Sequence, residues 1–363
     1  AFYPPMSDAL QRWGIPTVEG FAAGNIAEDA ELVIVGNACR KTNVEAIAAK
    51  ERGLKIMSFP QCLSELFIKG RRSVMVAGTH GKTTTSSLIA YMLLQAGRDP
   101  SFLVGGVGLN FDKSFRLGAG EDFVVEGDEY DSAFFDKRPK FVHYRPEVVV
   151  LTSLEFDHAD IYADMDAYRA AFAGLVALIP DTGLLIACAD DPEVMGVAKA
   201  ASCQVLTYGL SPSAQRRATG LKSEGEGMRF CFEGRSIHVP LSGRHNVSNA
   251  LATLLVGEFL GLPVENFEGL MKSFKGVARR MQIRGEEQGV TVVDDFAHHP
   301  TEVAETVRAA ADRFSGRKLV AVFEPRTNTS RRAFFQDRYP HSFFGADQVI
   351  IVPPFGLENL APE

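Results

Sequence analysis

The chain has 363 residues, 46% of them hydrophobic and 23% charged, enough apolar material for two or three domains rather than one. Its net charge of -7 excludes a broad nucleic-acid-binding face, which needs clustered Lys and Arg, and the longest basic run is Lys69-Gly70-Arg71-Arg72. No stretch approaches the roughly 20 apolar residues of a membrane span, and five widely spaced cysteines (Cys39, Cys62, Cys188, Cys203, Cys231) give neither a CxxC knuckle nor an even disulfide framework, which points to a reducing cytoplasm.

Residues 31–36, "ELVIVG", form a short bounded apolar run, followed by an amphipathic stretch over 43–52 and a second run, "KIMSF". This is a β-α-β rhythm. "SVMVAG" at 73–78 reads as a buried strand and 83–95 as a helix ended by Gly97; further strands are predicted at 122–127, 147–154 and 183–190, with a helix over 165–178. Between about 203 and 240 the pattern changes, and "GMRFCFEG" and "RSIHVPL" predict antiparallel strands joined by Gly-rich turns. A helix over 246–260 ends at Gly261 and Pro263. The β-α-β rhythm then returns with "VTVVDDF", a helix over 301–314, "KLVAVFEP", a helix over 332–344 and "QVIIVPP". The chain is therefore of the α/β class and divides near 71 and 278, into 1–71, 72–277 and 278–363. No internal repeat or low-complexity segment interrupts it.

The loop after the third strand, Gly78-Thr79-His80-Gly81-Lys82-Thr83-Thr84, resembles a phosphate-binding loop that is too short. The usual spacing puts a glycine at position 76, where this chain has Val76. Strand, glycine turn and helix nevertheless follow in the right order, so backbone amides and the helix N-terminus can meet an anion, with Lys82 on the outer phosphates and Thr83 on a magnesium ion. Lys82 reads as a surface charge at this loop. His80, between the two glycines, belongs to the loop but has no chemistry that the pattern assigns.

Two acidic clusters stand at predicted strand ends, where an open α/β sheet has its ligand crevice. They are Glu126, Asp128, Glu129 and Asp131 in "VVEGDEYD", and Glu155, Asp157, His158 and Asp160 in "LEFDHADIY". Carboxylates with substrate phosphates are the usual magnesium environment, which favours a metal role for both clusters and for His158. Adjacent His298 and His299 invite a zinc reading; it is set aside, because chain neighbours seldom face one metal and no third soft ligand is near in sequence.

In order and spacing, "AGTHGKTTT", "VVEGDEYD", "LEFDHADIY", "GRHNVSNA", "GVARRM" and "DDFAHHPTE" resemble the motifs of the Mur ligases, ATP-dependent amide-forming enzymes of peptidoglycan assembly, whose own loop is the shortened GTxGKT. The resemblance implies three domains: a Rossmann-like UDP-sugar domain, a central P-loop ATPase domain with a small antiparallel sheet, and a Rossmann-like C-terminal domain that closes over the site. It implies Lys82 on phosphate, Thr83, Glu126 and His158 on Mg2+, Asn249 and Arg280 on the adenine and phosphate of ATP, and Asp295 on its ribose. Lys82, Glu126 and His158 are the implied catalytic set, and Asn37, Gly105, Gly106, Arg279 and Arg326 the implied substrate contacts. It also implies that the family's first Gly-rich strand lies upstream of Ala1 and the end of the third domain beyond Glu363.

One departure narrows the branch. Where several Mur ligases carry a carbamylated lysine, this chain has Phe172, in Tyr168-Arg169-Ala170-Ala171-Phe172, which resembles the branch acting on free UDP-N-acetylmuramate. That branch holds an L-alanine ligase and a recycling ligase for the tripeptide L-alanyl-γ-D-glutamyl-meso-diaminopimelate. The insertion at 134–138 and "FEPRTNT" at 323–329 resemble the tripeptide enzyme, with Arg326, Arg331 and Arg332 as carboxylate clamps or, equally, as a solvated basic helix start. A P-loop regulatory ATP-binding protein is the alternative from another class. Nucleic acid and membrane are not expected partners, and monomer and dimer both remain open.

Overall fold

The structure, a computed structural model, describes residues 6–158, 161–327, 330–331 and 335–353. The N-terminal region contains α1 (Met6–Arg12), β1 (Leu32–Val35), α2 (Val44–Glu51), β2 (Lys55–Ser58) and α3 (Phe59–Leu63). β1 and β2 pair in parallel, and Asn43 starts α2 by accepting from the amides of Glu45 and Ala46.

The middle of the chain runs β3 (Arg72–Ala77), α4 (Lys82–Gln95), β4 (Ser101–Gly108), β5 (Lys113–Arg116), β6 (Asp122–Gly127), β7 (Asp131–Ala133), β8 (Asp136–Pro139) and β9 (Val148–Leu151). It continues through α5 (Met165–Val176), β10 (Leu184–Cys188), α6 (Pro192–Val197), β11 (Gln204–Gly209) and β12 (Arg216–Arg217). Eight of these strands form one sheet in the order β12-β11-β10-β9-β3-β6-β4-β5, parallel except for the β4-β5 pair. Val74 to Ala77 and Val148 to Leu151 are wholly buried, as central strands covered on both faces must be, and hence read as unbroken apolar runs. β3 lies between β6 and β9, so the chain reverses its direction of travel across the sheet there, and a crevice opens at the strands' C-terminal ends.

A three-stranded antiparallel sheet follows, β13 (Thr219–Glu224), β14 (Gly227–Phe232) and β15 (Arg235–Val239), then α7 (Arg244–Phe259) and α8 (Phe267–Met271). α4 packs on α7, and both are buried nearly all round, which explains small residues such as Thr84, Thr85, Ser86 and Ser87 where a surface helix would carry charges. The antiparallel expectation holds for 219–239; β11, by contrast, joins the main sheet in parallel with β10.

The C-terminal region has β16 (Gln282–Glu287), β17 (Val290–Asp294), α9 (Pro300–Arg313), β18 (Val320–Phe323), α10 (Tyr339–Ser342) and β19 (Gln348–Ile351). β18 and β19 are parallel, as the β-α-β reading requires, but β17 pairs antiparallel with β16. The helix expected over 332–344 falls partly outside the described residues; its described part is helical at Tyr339–Ser342.

Two apolar clusters result. The larger spans Leu63 to Val277, and a small one comprises Val303, Val307, Phe323 and Phe343. Phe172 is fully buried in the larger cluster, with ring centroids 5.3 Å from Phe141 and 5.0 Å from Tyr168. Phe172→Ala removes a ring from a dry aromatic nest, and we expect a loss of about 3–5 kcal/mol, read as a lowered midpoint of the main urea transition.

Candidate active site at the sheet switch point

β3 ends at Ala77, and the turn of residues 78–81 delivers the chain into α4. Gly78 has φ +129°, and a Cβ there would stand 2.7 Å from the Ser153 carbonyl and 2.9 Å from its nitrogen. Gly81 caps α4 in the left-handed region (φ +79°), with a virtual Cβ 2.8 Å from Asn249 Oδ1. Both glycines are thus required by close packing and by backbone sign. The segment after β9 grips this turn: the Thr79 amide donates to the Ser153 carbonyl (2.9 Å), the His80 amide to Ser153 Oγ (3.0 Å), and Thr152 Oγ1 to the His80 carbonyl (2.5 Å). Thr79 Oγ1 donates to the Glu155 carbonyl and accepts from the Glu155 amide, each at 2.9 Å.

Lys82 is not a surface charge. Its side chain is 14% exposed, and Nζ reaches the carbonyls of Gly78 (2.5 Å) and Thr79 (3.1 Å) and the carboxylate of Glu129 (3.2 Å). Burial pushes the ammonium down, but Glu129, Glu126 and Asp128 outweigh it and raise its pKa. Glu129 is 1% exposed; burial pushes its carboxyl up, yet Lys82 and His158 hold it at about 2. His158 Nε2 lies 3.0 Å from Glu129 Oε1 and the Tyr168 hydroxyl 3.4 Å from the same oxygen. His158 sits at φ +58° with its ring 4.3 Å from that of Tyr130, and its Nδ1 is buried with no hydrogen-bond partner among the described residues.

Glu126, at the end of β6, accepts from Thr83 Oγ1 (3.1 Å) and from the Gly105 amide (2.7 Å). Burial raises its pKa, with Lys82 and those two donors opposing. Gly105 and Gly106 are needed here for space: a Cβ on Gly105 would sit 2.8 Å from the Glu126 carboxylate, and one on Gly106 2.9 Å from Thr83 Cγ2.

A cavity of about 990 Å³ opens on the other side of the loop. The middle region contributes His80, Gly81, Thr83, Thr84 and Asn249 to its wall, and the C-terminal region contributes Arg280, Asp295, Thr301 and Glu302. Asn249 is held by Asn246 (3.0 Å), and Asp295 accepts from the amides of Met281 (2.7 Å) and Ala297 (2.8 Å), which fixes the strap carrying Arg280. Lys82, Glu126, Glu129 and His158 lie outside that lining, so the loop separates a roomy cleft from a tight charged cluster.

The structure does not bring every expected residue there. Asn37 is exposed after β1. Arg279 turns from the cavity, its guanidinium 4.7 Å from the Phe296 ring centroid and 3.7 Å from Asp294. Arg326 is 68% exposed beside Glu324, and Arg331 donates to the Arg326 carbonyl. Asp160 and Arg332 lie outside the described residues. His298 and His299 diverge; His80 and Glu155, far away in sequence, bring one ligand atom each within 4.8 Å of one on His299, a closeness that the 2.9 Å His80–Glu155 ion pair accounts for. Glu302, His299 and Tyr168 are site residues that sequence reasoning left without a role, while Glu129 and Glu155, read there only as members of acidic metal clusters, pair instead with Lys82 and His158 and with His80.

Three family models match: "Mur ligase family, catalytic domain" over 1–71, "Mur ligase middle domain" over 76–257 and "Mur ligase, glutamate ligase domain" over 279–361. The UDP-N-acetylmuramate--L-alanyl-gamma-D-glutamyl-meso-2,6-diaminoheptandioate ligase of Escherichia coli (strain K12) is 37% identical across 97% of this chain and 78% of its own. A UDP-N-acetylmuramate--L-alanine ligase of Nitrosomonas eutropha is 38% identical across 90% of this chain and 71% of its own. Among solved structures, a murein peptide ligase from Psychrobacter arcticus superposes with a TM-score of 0.76 at 36% identity, covering 98% of this chain and 78% of that one.

Gly78→Ala tests the loop. The new Cβ meets backbone that cannot yield, so the turn must move. We expect ATP affinity to fall roughly tenfold or more, measured by displacement of a fluorescent ATP analogue, with the far-UV circular dichroism unchanged.

Proposed function

Because the chain belongs to the Mur ligase family, we propose that it is the ATP-dependent ligase joining UDP-N-acetylmuramate to the tripeptide L-alanyl-γ-D-glutamyl-meso-diaminopimelate. One observation carries this reading: a loop lysine, a Thr83–Glu126 pair and a Glu129–His158 pair converge where three parallel strands end. We take the domain boundaries near 71 and 278. No helix among the described residues is long and apolar enough to cross a membrane, and the free cysteines support a reducing, cytoplasmic setting.

A carboxylate is too poor an electrophile for an amine, so it must first be activated. The lactyl carboxylate oxygen attacks the γ-phosphorus of ATP, the bond to the ADP oxygen breaks, and an acyl phosphate forms. The Lys82 ammonium and the amides that open α4 would meet the charge on the transferring group, for which Lys82 must exchange Glu129 for phosphate. The tripeptide amine then attacks the acyl carbon, gives up a proton, and inorganic phosphate leaves. Thr83, Glu126 and His158 are the residues that would hold Mg2+; the Nδ1 of His158, buried and without a partner among the described residues, and the Thr83–Glu126 pair fit such an ion. When bound, it neutralises phosphate charge. Asn249, Arg280 and Asp295 are the proposed nucleotide contacts.

The acceptor assignment rests on the β7-β8 hairpin, which begins two residues after Glu129 and places Phe135 on the surface while Phe141 and Tyr144 anchor it in the core. That is where the insertion resembling the tripeptide enzyme falls. L-Alanine is the alternative acceptor, since an alanine ligase matches at similar identity. A phosphate loop used only as a switch leaves the C-terminal wall of the cavity without a task.

With the full-length protein, phosphate release from ATP is expected to require both UDP-N-acetylmuramate and the tripeptide, as followed by a coupled phosphate assay. Release at the same rate with either omitted refutes the ligase reading. Efficient turnover with L-alanine in place of the tripeptide moves the chain to the other branch.

A further inference from the structure

His80, on the cavity wall, has its ring between two carboxylates from different regions of the chain, Glu155 of the middle region and Glu302 of the C-terminal region. Nε2 is 2.9 Å from Glu155 Oε2, on the segment after β9, and Nδ1 is 3.3 Å from Glu302 Oε1, in the first turn of α9. We propose that His80 is a positioning residue: as an imidazolium it latches the C-terminal region onto the phosphate loop and so couples closure of the cavity to the loop's own geometry.

The charge state follows from the geometry. A neutral imidazole has one N–H and one lone pair, and here the lone pair would point at a carboxylate oxygen; only the doubly protonated ring can donate to both. Burial pushes the imidazolium down, but the hydrogen bonds to Glu155 and Glu302 outweigh it and raise it to about 9. The latch is rigidly mounted, because the His80 backbone is pinned through its amide and carbonyl to Ser153 and Thr152. Its receiving end is rigid too. Glu302 also accepts from the His298 amide (3.3 Å) and stands at the positive end of α9, where an ionised carboxylate is favoured. His299 caps α9 and lies 3.2 Å from Glu155, so Glu155 meets both sides of the junction. Burial and the neighbouring His80 charge push the His299 imidazole down to about 4, so it remains neutral while His80 carries the proton.

The other charged groups around this ring are Asp157 on the Glu155 segment, His298 and Arg280 on the C-terminal side, and Arg338, 3.7 Å from Glu155. His80 is the group in this set whose proton loss opens the junction on the alkaline side, because it alone bridges Glu155 and Glu302. The sign is that of a raised base: the latch is complete below the free imidazole value near 6.5 and is lost as pH rises through about 9.

Small-angle X-ray scattering of the nucleotide-free, full-length protein reads the latch without reference to which acceptor it uses. The wild-type radius of gyration should rise between pH 8 and 10 (~1–2 pH units around the raised value) while circular dichroism stays constant. Glu302→Gln and His80→Gln should be expanded already at pH 7 and insensitive to that pH step, and the double variant no more expanded than either single one. Each single variant should lower kcat/KM roughly tenfold, the effect of one lost charge-assisted hydrogen bond, with no further loss in the double. A wild-type radius that is flat to pH 10 overturns the proposal without recourse to any variant, and so do additive effects of the two substitutions.

Discussion

The placement of β3 between β6 and β9 determines where each charge in this molecule can stand. The ladders pair Ala77 with Gly127 on one side and with Leu151 on the other. The three strands therefore end side by side, and their continuations must share a small volume: the glycine turn, the Asp128–Glu129 turn and the Thr152–His158 segment. Val74 to Ala77 and Val148 to Leu151 are wholly apolar and buried, so they supply no hydrogen-bonding side chains to that volume. The polar groups beyond them have to satisfy one another, which is why the turn is tied to Thr152, Ser153 and Glu155 rather than left to solvent.

The same crowding explains the state of Lys82. A buried ammonium is tolerated only when paired, and Glu129 is the carboxylate within reach. The lysine also donates to the carbonyls of Gly78 and Thr79 in its own loop, so its charge is held by three partners at once. Once Lys82 leaves, Glu129 keeps His158 and the Tyr168 hydroxyl, so its charge is never stranded in the interior.

The parts of this arrangement legible in the sequence were those dictated by local pattern. The run "DFVVEG" coincides with β6, and the glycine turn sits between strand and helix as its spacing requires, because burial on both faces and a positive φ leave direct marks on residue choice. β16 escaped notice because Gln282–Glu287 is almost all polar and is a strand only through its partner β17. Glu129 was visible as one of several acids, but nothing local separates it from Asp128 or Asp131; its role comes from a lysine 47 residues earlier and a histidine 29 later. His80 was opaque for the same reason in stronger form, since its partners are 75 and 222 residues away.

That distance also bears on why the junction is ionic. The two apolar clusters are separate among the described residues, and the C-terminal one is small. Had the cavity's walls been joined by buried apolar surface, opening would cost about 25 cal/mol for every Å² exposed, and the walls would stay shut. Ion pairs of partly exposed groups, His80 with Glu302 and Arg338 with Glu155, hold the two regions in one defined register yet lose little when water replaces them. A ligase that must admit a nucleotide and two large substrates, exclude water from an acyl phosphate and then release three products needs such a junction, specific in geometry and modest in strength.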